Sequence, residues 1–416
     1  MLSLALLVVV TAAIRPLCVS IPTTELLTAT PNEIGMLVPL PPADIHCPRL
    51  GVSCAIDQTS LLLADDGQRD GPAAPGIVAC YRAAQEKWIF SEFLSSPSPL
   101  QGDRFGAAMA LDGNCLLVGS PGDPIDGPLG GTAWVFRFDG RKWQPEANLT
   151  PLKANAGAQF GYTVALQGDC AVIGSPRQHL DGHWHVGRVE IFHYERNQWK
   201  RSATIDPPMV STSLWFGYEV ALAAEGTCLA IGVPGLDEPI DRCGGVMLAT
   251  RDGAQWKLAP RPVHRAAATP LERFGSAVVA TNSAFLASAP GAEPEAAGLL
   301  SLISIHTPSR LLGDWIEPAI PQGRLGTRLA TSQGWAAATI PGWQEAGERR
   351  GAVRIFRLNH GHPVAILDLQ TEENAPPLGR AIALSHHALL VTAVPDEDDP
   401  QSFTEAWVIP LENVVP

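Results

Sequence analysis

The sequence predicts an all-β protein, a single seven-bladed β-propeller of four-stranded antiparallel blades closed by an N-terminal strand. Three observations carry this expectation. A bulky apolar residue followed by glycine recurs seven times, at Leu50-Gly51, Phe105-Gly106, Phe160-Gly161, Phe216-Gly217, Phe274-Gly275, Leu325-Gly326 and Leu378-Gly379. The glycines are 55, 55, 56, 58, 51 and 53 residues apart, and a period near fifty signals a propeller or a solenoid. The composition agrees: 46% hydrophobic and 17% charged residues with 39 Gly and 37 Pro is too apolar for disorder and too rich in turn formers for helices.

Within each repeat the elements follow in a fixed order. After the doublet come an apolar strand, a tight turn, a second strand and a Gly-x-Pro-like stop, as in FGAAMALDGNCLLVGSPG and FGYTVALQGDCAVIGSPR. The β-branched and apolar runs broken by Asp-Gly or Gly-Asp mark two strands joined by a two-residue turn. A variable loop leads to a third strand, GTAWVFRF, GRVEIFHY or GAVRIFRL, and a second turn leads to a fourth strand opened by Trp at Trp88, Trp143, Trp199, Trp256 and Trp315. One such sheet cannot cover both of its faces, so neighbouring blades must, and the recurrent Phe and Trp become packing between blades. The seventh repeat ends after Ala406-Trp407-Val408-Ile409 with little room for a fourth strand, and the apolar segment 34–40 fills that place. Pairing the two ends of the chain abolishes a free sheet edge.

Residues 1–20 read as a signal peptide. The apolar run from Met1 to Ile14 is too short to span a bilayer and is followed by Cys18-Val19-Ser20, a small-residue cleavage point. Residues 21–33 form a linker, and 34–416 the propeller; no later stretch is apolar enough for a membrane span. Beyond Cys18 there are seven cysteines without metal-type spacing. Cys115, Cys170 and Cys228 share one repeat position, which makes them small buried core residues.

These residues resemble the FG-GAP family, whose members include the N-terminal propellers of integrin α subunits and many secreted or surface proteins. The resemblance covers roughly residues 34–410 and implies an adhesion-like, non-catalytic binding module. Many relatives hold calcium in an Asp-x-Asp-x-Asp-Gly loop between the first two strands. Here the equivalents, Asp112-Gly113-Asn114 and Gln167-Gly168-Asp169, offer one carboxylate each, too few oxygens for calcium. A kelch propeller has a similar period, but its Gly-Gly doublet occurs only at Gly130-Gly131 and Gly244-Gly245.

The net charge of −13 without a clustered Lys/Arg excess excludes nucleic acid as a partner. The loops between second and third strands carry seventeen carboxylates against five arginines, −12 of that total; from the second blade on they follow Pro121, Pro176, Pro234, Pro290, Pro341 and Pro395. They emerge on one face, the expected working surface. Its ligand-face candidates are Asp123, Asp126, Asp237, Glu238, Asp241, Asp396, Asp398 and Asp399. The partner expected there is a protein or polysaccharide, basic or bridged by a divalent cation, calcium at the acidic loops. The segment RQHLDGHWHVG places His179, Asp181, His183 and His185 at alternate positions; in an extended segment these share a side and form a zinc-type set. No Gly-x-Ser-x-Gly elbow or phosphate loop is present. The alternative to a secreted or cell-surface binding module is a secreted hydrolase or lyase with its site at the axial funnel.

Overall fold

The computed structural model of the chain describes residues 27–42, 47–68, 73–85, 87–125, 127–153, 155–223, 225–305, 311–315, 320–345, 348–359, 362–371, 376–393 and 404–414. The signal segment 1–20 lies outside them.

Seven antiparallel sheets follow the seven doublets. In the third blade the strands are Thr163–Gln167, Cys170–Ser175, Arg188–Glu195 and Gln198–Ile205, hydrogen-bonded in that order. The first strands, Ser53–Ile56, Ala108–Asp112, Thr163–Gln167, Val220–Ala223, Val278–Ala280, Leu329–Ser332 and Leu378–Leu384, each touch the first strands of the two neighbouring blades, and the seventh touches the first. They form a closed ring around the axis, with later strands progressively further out.

The core sits between the blades rather than within them. Seven buried apolar clusters fill the seven interfaces, one per pair of neighbouring sheets. The doublet residues Leu50, Phe105, Phe160, Phe216, Phe274, Leu325 and Leu378 are all buried. Burying such a side chain contributes about 1.5–3 kcal/mol, so the doublet is the repeated anchor of the ring. Cys115 and Cys170 are buried in these clusters and Cys228 packs against one, as their shared position predicts; Cys54, Cys80, Cys115, Cys170, Cys228 and Cys243 are free thiols.

Glycine is needed where backbones meet across an interface. A Cβ on Gly174, from the Gly-x-Pro stop, would lie 2.3 Å from the Gly217 carbonyl oxygen of the next blade. At Gly187, which opens a third strand with φ +94°, a Cβ would lie 2.0 Å from the Phe216 oxygen. The doublet and the glycines of the preceding blade therefore specify one another.

Closure occurs as expected. Met36–Leu37 pairs antiparallel with the last strand, Glu405–Pro410, with Met36 opposite Val408 and Leu37 opposite Trp407. The Val38 amide donates to the Ala406 carbonyl (2.7 Å), Trp407 Nε1 to Asn32 Oδ1 (2.9 Å) and Asn413 Nδ2 to the Ile34 carbonyl (2.9 Å).

Two expectations need correction. Of the expected linker 21–33, residues 21–26 lie outside the described ones, and Leu27–Ala29 joins the sixth blade as a fifth strand, parallel to His362–Gln370. Trp315 ends its strand, Leu311–Trp315, instead of opening it, and lies opposite Leu300. The cause is that the pairing of that hairpin starts at Leu311 opposite Ile303, whereas Trp88, Trp143, Trp199 and Trp256 do open theirs.

Candidate binding face

Because each first strand starts at the doublet, the connections between blades and the loops between second and third strands share one face. There they are zipped together. The amides of Phe160, Phe216, Phe274, Leu325 and Leu378 donate to the carbonyls of Gly130, Val186, Cys243, Ala297 and Arg350 in the preceding blade's loop, at 2.8–3.0 Å. Between the first two blades a side chain does this work. Asp103, fully buried, accepts from the amides of Gly76 (2.9 Å) and Phe105 (3.1 Å). Among the described residues, loop and connection are thus hydrogen-bonded into one surface, which lowers the ordering cost of binding.

The acidic residues on this face divide into two groups. Asp65 accepts from the Gly67 and Arg49 amides, and buried Asp66 pairs with Arg104 (3.4 Å). Asp123 is likewise a clamp, since one oxygen accepts from the Ile125 amide (3.1 Å) and the other from the Thr132 hydroxyl (3.2 Å). Burial raises its pKa against those hydrogen bonds. Asp123 thus supports the loop on which it stands. Asp237, Glu238 and Asp241 are exposed in the fourth blade's loop; Asp237 Oδ1 accepts from the Arg242 amide and the Asp241 carbonyl from the Leu271 amide, which fixes the loop. Asp126, Asp396, Asp398 and Asp399 lie outside the described residues.

The expected zinc-type set does not assemble. Asp181 and Gly182 both have positive φ (+49° and +82°), and Leu180 bridges His183. This is the two-residue hairpin turn that Asp-Gly favours, so alternate side chains do not share a side. Instead His179 Nδ1 accepts from the His185 amide (3.2 Å), the two imidazoles stack at 5.5 Å, and His179 meets the edge of Trp184 at 4.2 Å. Burial lowers the pKa of both His179 and His185. His183 points to Thr212 (3.5 Å). Among the described residues no three His, Cys, Asp or Glu side chains are placed to hold a metal ion.

Sequence reasoning missed the charge pattern nearer the axis. Arg49, Arg104, Arg273 and Arg324 each precede a doublet and so stand at the inner rim of the same face, inside the acidic loops. Beside Arg273 lies a cleft of about 200 Å³ lined by Tyr162, Arg177, Trp215, Tyr218 and Ser276. Deeper, Glu219 accepts from the Thr163 hydroxyl (2.7 Å) and faces Arg328 across the ring. Confinement among the strands raises the pKa of Glu219 despite both partners.

The opposite face carries the two-residue turns. Asp112 Oδ2 accepts from the Gly168 amide (2.6 Å), and Gln167 Oε1 from the Gly226 amide (2.8 Å), so each turn hooks the next blade. Three clefts of about 500–610 Å³ open there, lined among others by Trp88, Trp335, Asn282, Asp57, His386 and Leu411. They are larger than the cleft at the loop face.

The fold and its repeat define a β-propeller. A family model described as "FG-GAP repeat" matches residues 143–192, from the last strand of the second blade to the third strand of the third, so it contains Phe160-Gly161 and Gly174-Ser175-Pro176. No curated protein matches. The solved structure "Crystal structure of RRP9 WD40 repeats" is similar at 10% identity, covering 93% of this chain and 100% of its own, with a TM-score of 0.56, a likeness of fold alone. Together the repeat match and the seven-bladed ring make this chain an FG-GAP β-propeller, a scaffold suited to binding. Among the described residues no helix is long and apolar enough to cross a membrane.

Proposed function

We propose that the chain is an extracytoplasmic, adhesion-like binding scaffold without catalytic activity, whose partner docks on the loop face. The observation that carries this reading is the exposed triplet Asp237, Glu238 and Asp241 on a loop locked by backbone hydrogen bonds to the next blade. Such a loop presents three carboxylates at fixed positions to a basic group or to a bridging divalent cation on a protein or polysaccharide. The apolar N-terminal segment with its small-residue cleavage point supports export.

The test uses a lysine-rich peptide as probe, at low and physiological salt, with and without calcium. Asp237→Asn/Asp241→Asn is expected to weaken binding and flatten its salt dependence, because screening acts on exposed charge. The larger clefts on the opposite face supply the counter-test. If His386→Ala reduces binding while the loop variant leaves it unchanged, the docking face is wrong.

A further inference from the structure

We propose that the inner-rim cleft over blades three to five is a binding site for a carboxylated sugar, one uronic-acid residue of an acidic polysaccharide. This goes beyond the docking of basic groups on the outer loops and draws on different residues. Tyr162 and Tyr218 approach with ring centroids at 5.3 Å, and Trp215 follows at 6.3 Å from Tyr218. Three rings so arranged form an apolar wall for the C–H face of a sugar ring. The guanidinium of Arg273 lies 5.9 Å from the Trp215 ring, on the side of blade five, and Arg177 flanks the cleft from blade three. Both side chains are exposed, and among the described residues neither guanidinium makes an ion pair or a hydrogen bond, the bonds of Arg273 to Arg242 and Ser276 being made by its backbone. This contrasts with Arg188, Arg201, Arg265 and Arg354, each of which holds a carboxylate.

Two unengaged forked donors beside stacked aromatic rings fit a carboxylate carried on a ring. The volume of about 200 Å³ suits one such residue and not a drug-sized ligand. A chain of sugars has a second contact at hand. Trp184, 64% exposed, sits on the loop whose Trp184 and His185 carbonyls accept from the Ser213 and Trp215 amides. It is therefore held next to the cleft and offers a stacking surface to the neighbouring residue. Cation and ring contacts of this type are favourable at exposed sites.

Binding is read from tryptophan fluorescence with galacturonic acid as the single acid, its trimer, the uncharged galactose trimer, and a glutamate-rich peptide. The acidic trimer is expected to bind, and Arg273→Gln and Arg177→Gln to weaken it about tenfold each, the scale of one lost charge-assisted hydrogen bond. The neutral trimer is expected to bind at least tenfold more weakly. Trp184→Ala lowers affinity for the trimer but not for the single acid. Asp237→Asn/Asp241→Asn is expected to leave this binding intact, so failure here and failure of the basic-partner reading are distinguishable. No binding of the acidic trimer, equal binding in both arginine variants, or equal binding of the peptide would overturn the proposal.

Discussion

Removing the closing strand tests how far the ring depends on joining its two ends. Consider a chain begun at residue 41 against one begun at residue 30, both without the Leu27–Ala29 strand of the sixth blade. The shorter chain loses the hydrogen bonds that Val38 donates to Ala406, Trp407 to Asn32 and Asn413 to Ile34, at about 1 kcal/mol each. It also loses the burial of Val38, 5% exposed, and leaves Trp407, 3% exposed, without its cover, together about 3 kcal/mol. The sum of about 6 kcal/mol is a large share of the 5–15 kcal/mol typical of a folded protein. With about 2.1 cal/mol/K of unfolding entropy per residue, a chain of this length melts roughly 7 °C lower. Differential scanning calorimetry measures this directly, and the exposed edge of the seventh blade adds concentration-dependent aggregation. Val38→Ala gives a graded control with a smaller drop. If the truncated chain melts where the longer one does, the ring does not depend on this closure.

Three further outcomes follow from individual contacts. Arg354 and Asp368 form a bidentate pair at 2.7 and 2.8 Å with both side chains 3% exposed; Arg354→Met alone costs about 3–5 kcal/mol in urea unfolding, whereas Arg354→Met/Asp368→Leu recovers most of it. Equal loss in both variants would contradict an isolated buried pair. Calcium at millimolar concentration shifts the melting temperature little, because the turns at Asp112 and Gln167 hook neighbouring blades instead of forming a ligand loop; a large upward shift reversed by chelator refutes this. Glu219 has a folded pKa raised chiefly by burial, so its ionisation opposes folding as pH rises from the ordinary carboxylate range through that raised value. Glu219→Gln therefore gains stability relative to the parent at neutral pH and loses that advantage on acidification, and parallel melting curves across pH would count against it.

The ring was legible because its constraints repeat. The doublet, the Gly-x-Pro stop and the third-strand glycine each answer to backbone contact between blades, and a contact made seven times leaves seven traces. Even the closure could be read, since a missing fourth strand at one end and a surplus apolar segment at the other have one economical solution. What the period could not reveal were the departures from it. Glu190 and Arg354 occupy the same third-strand position with opposite charge, and each is answered from the fourth strand, by Arg201 and Asp368. Only the cross-strand register shows that these unlike residues solve one problem, the burial of a charge. The parallel strand Leu27–Ala29 is a similar case, too short to carry a pattern of its own.

The candidate sites fared differently because counting charge along a chain ignores what each charge touches. Asp65, Asp66 and Asp123 contribute to the acidic total yet are engaged by amides, a hydroxyl and an arginine of their own fold. The histidine set failed on local geometry: Asp-Gly imposed a turn where an extended strand was assumed. The cleft at the inner rim was hidden for the opposite reason. Tyr162, Tyr218 and Ser276 follow successive doublets, and Trp215 and Arg273 precede them, so along the sequence they look like ordinary variation flanking a constant motif. Seven-fold arrangement turns those flanking positions into a ring around the axis. A scaffold that must keep its doublets and glycines has freedom left just beside them, and on this chain that freedom is used to gather rings and unpaired guanidiniums at blades three to five. Recognition in a propeller of this kind is best sought where the repeat departs from itself next to its most constrained residues.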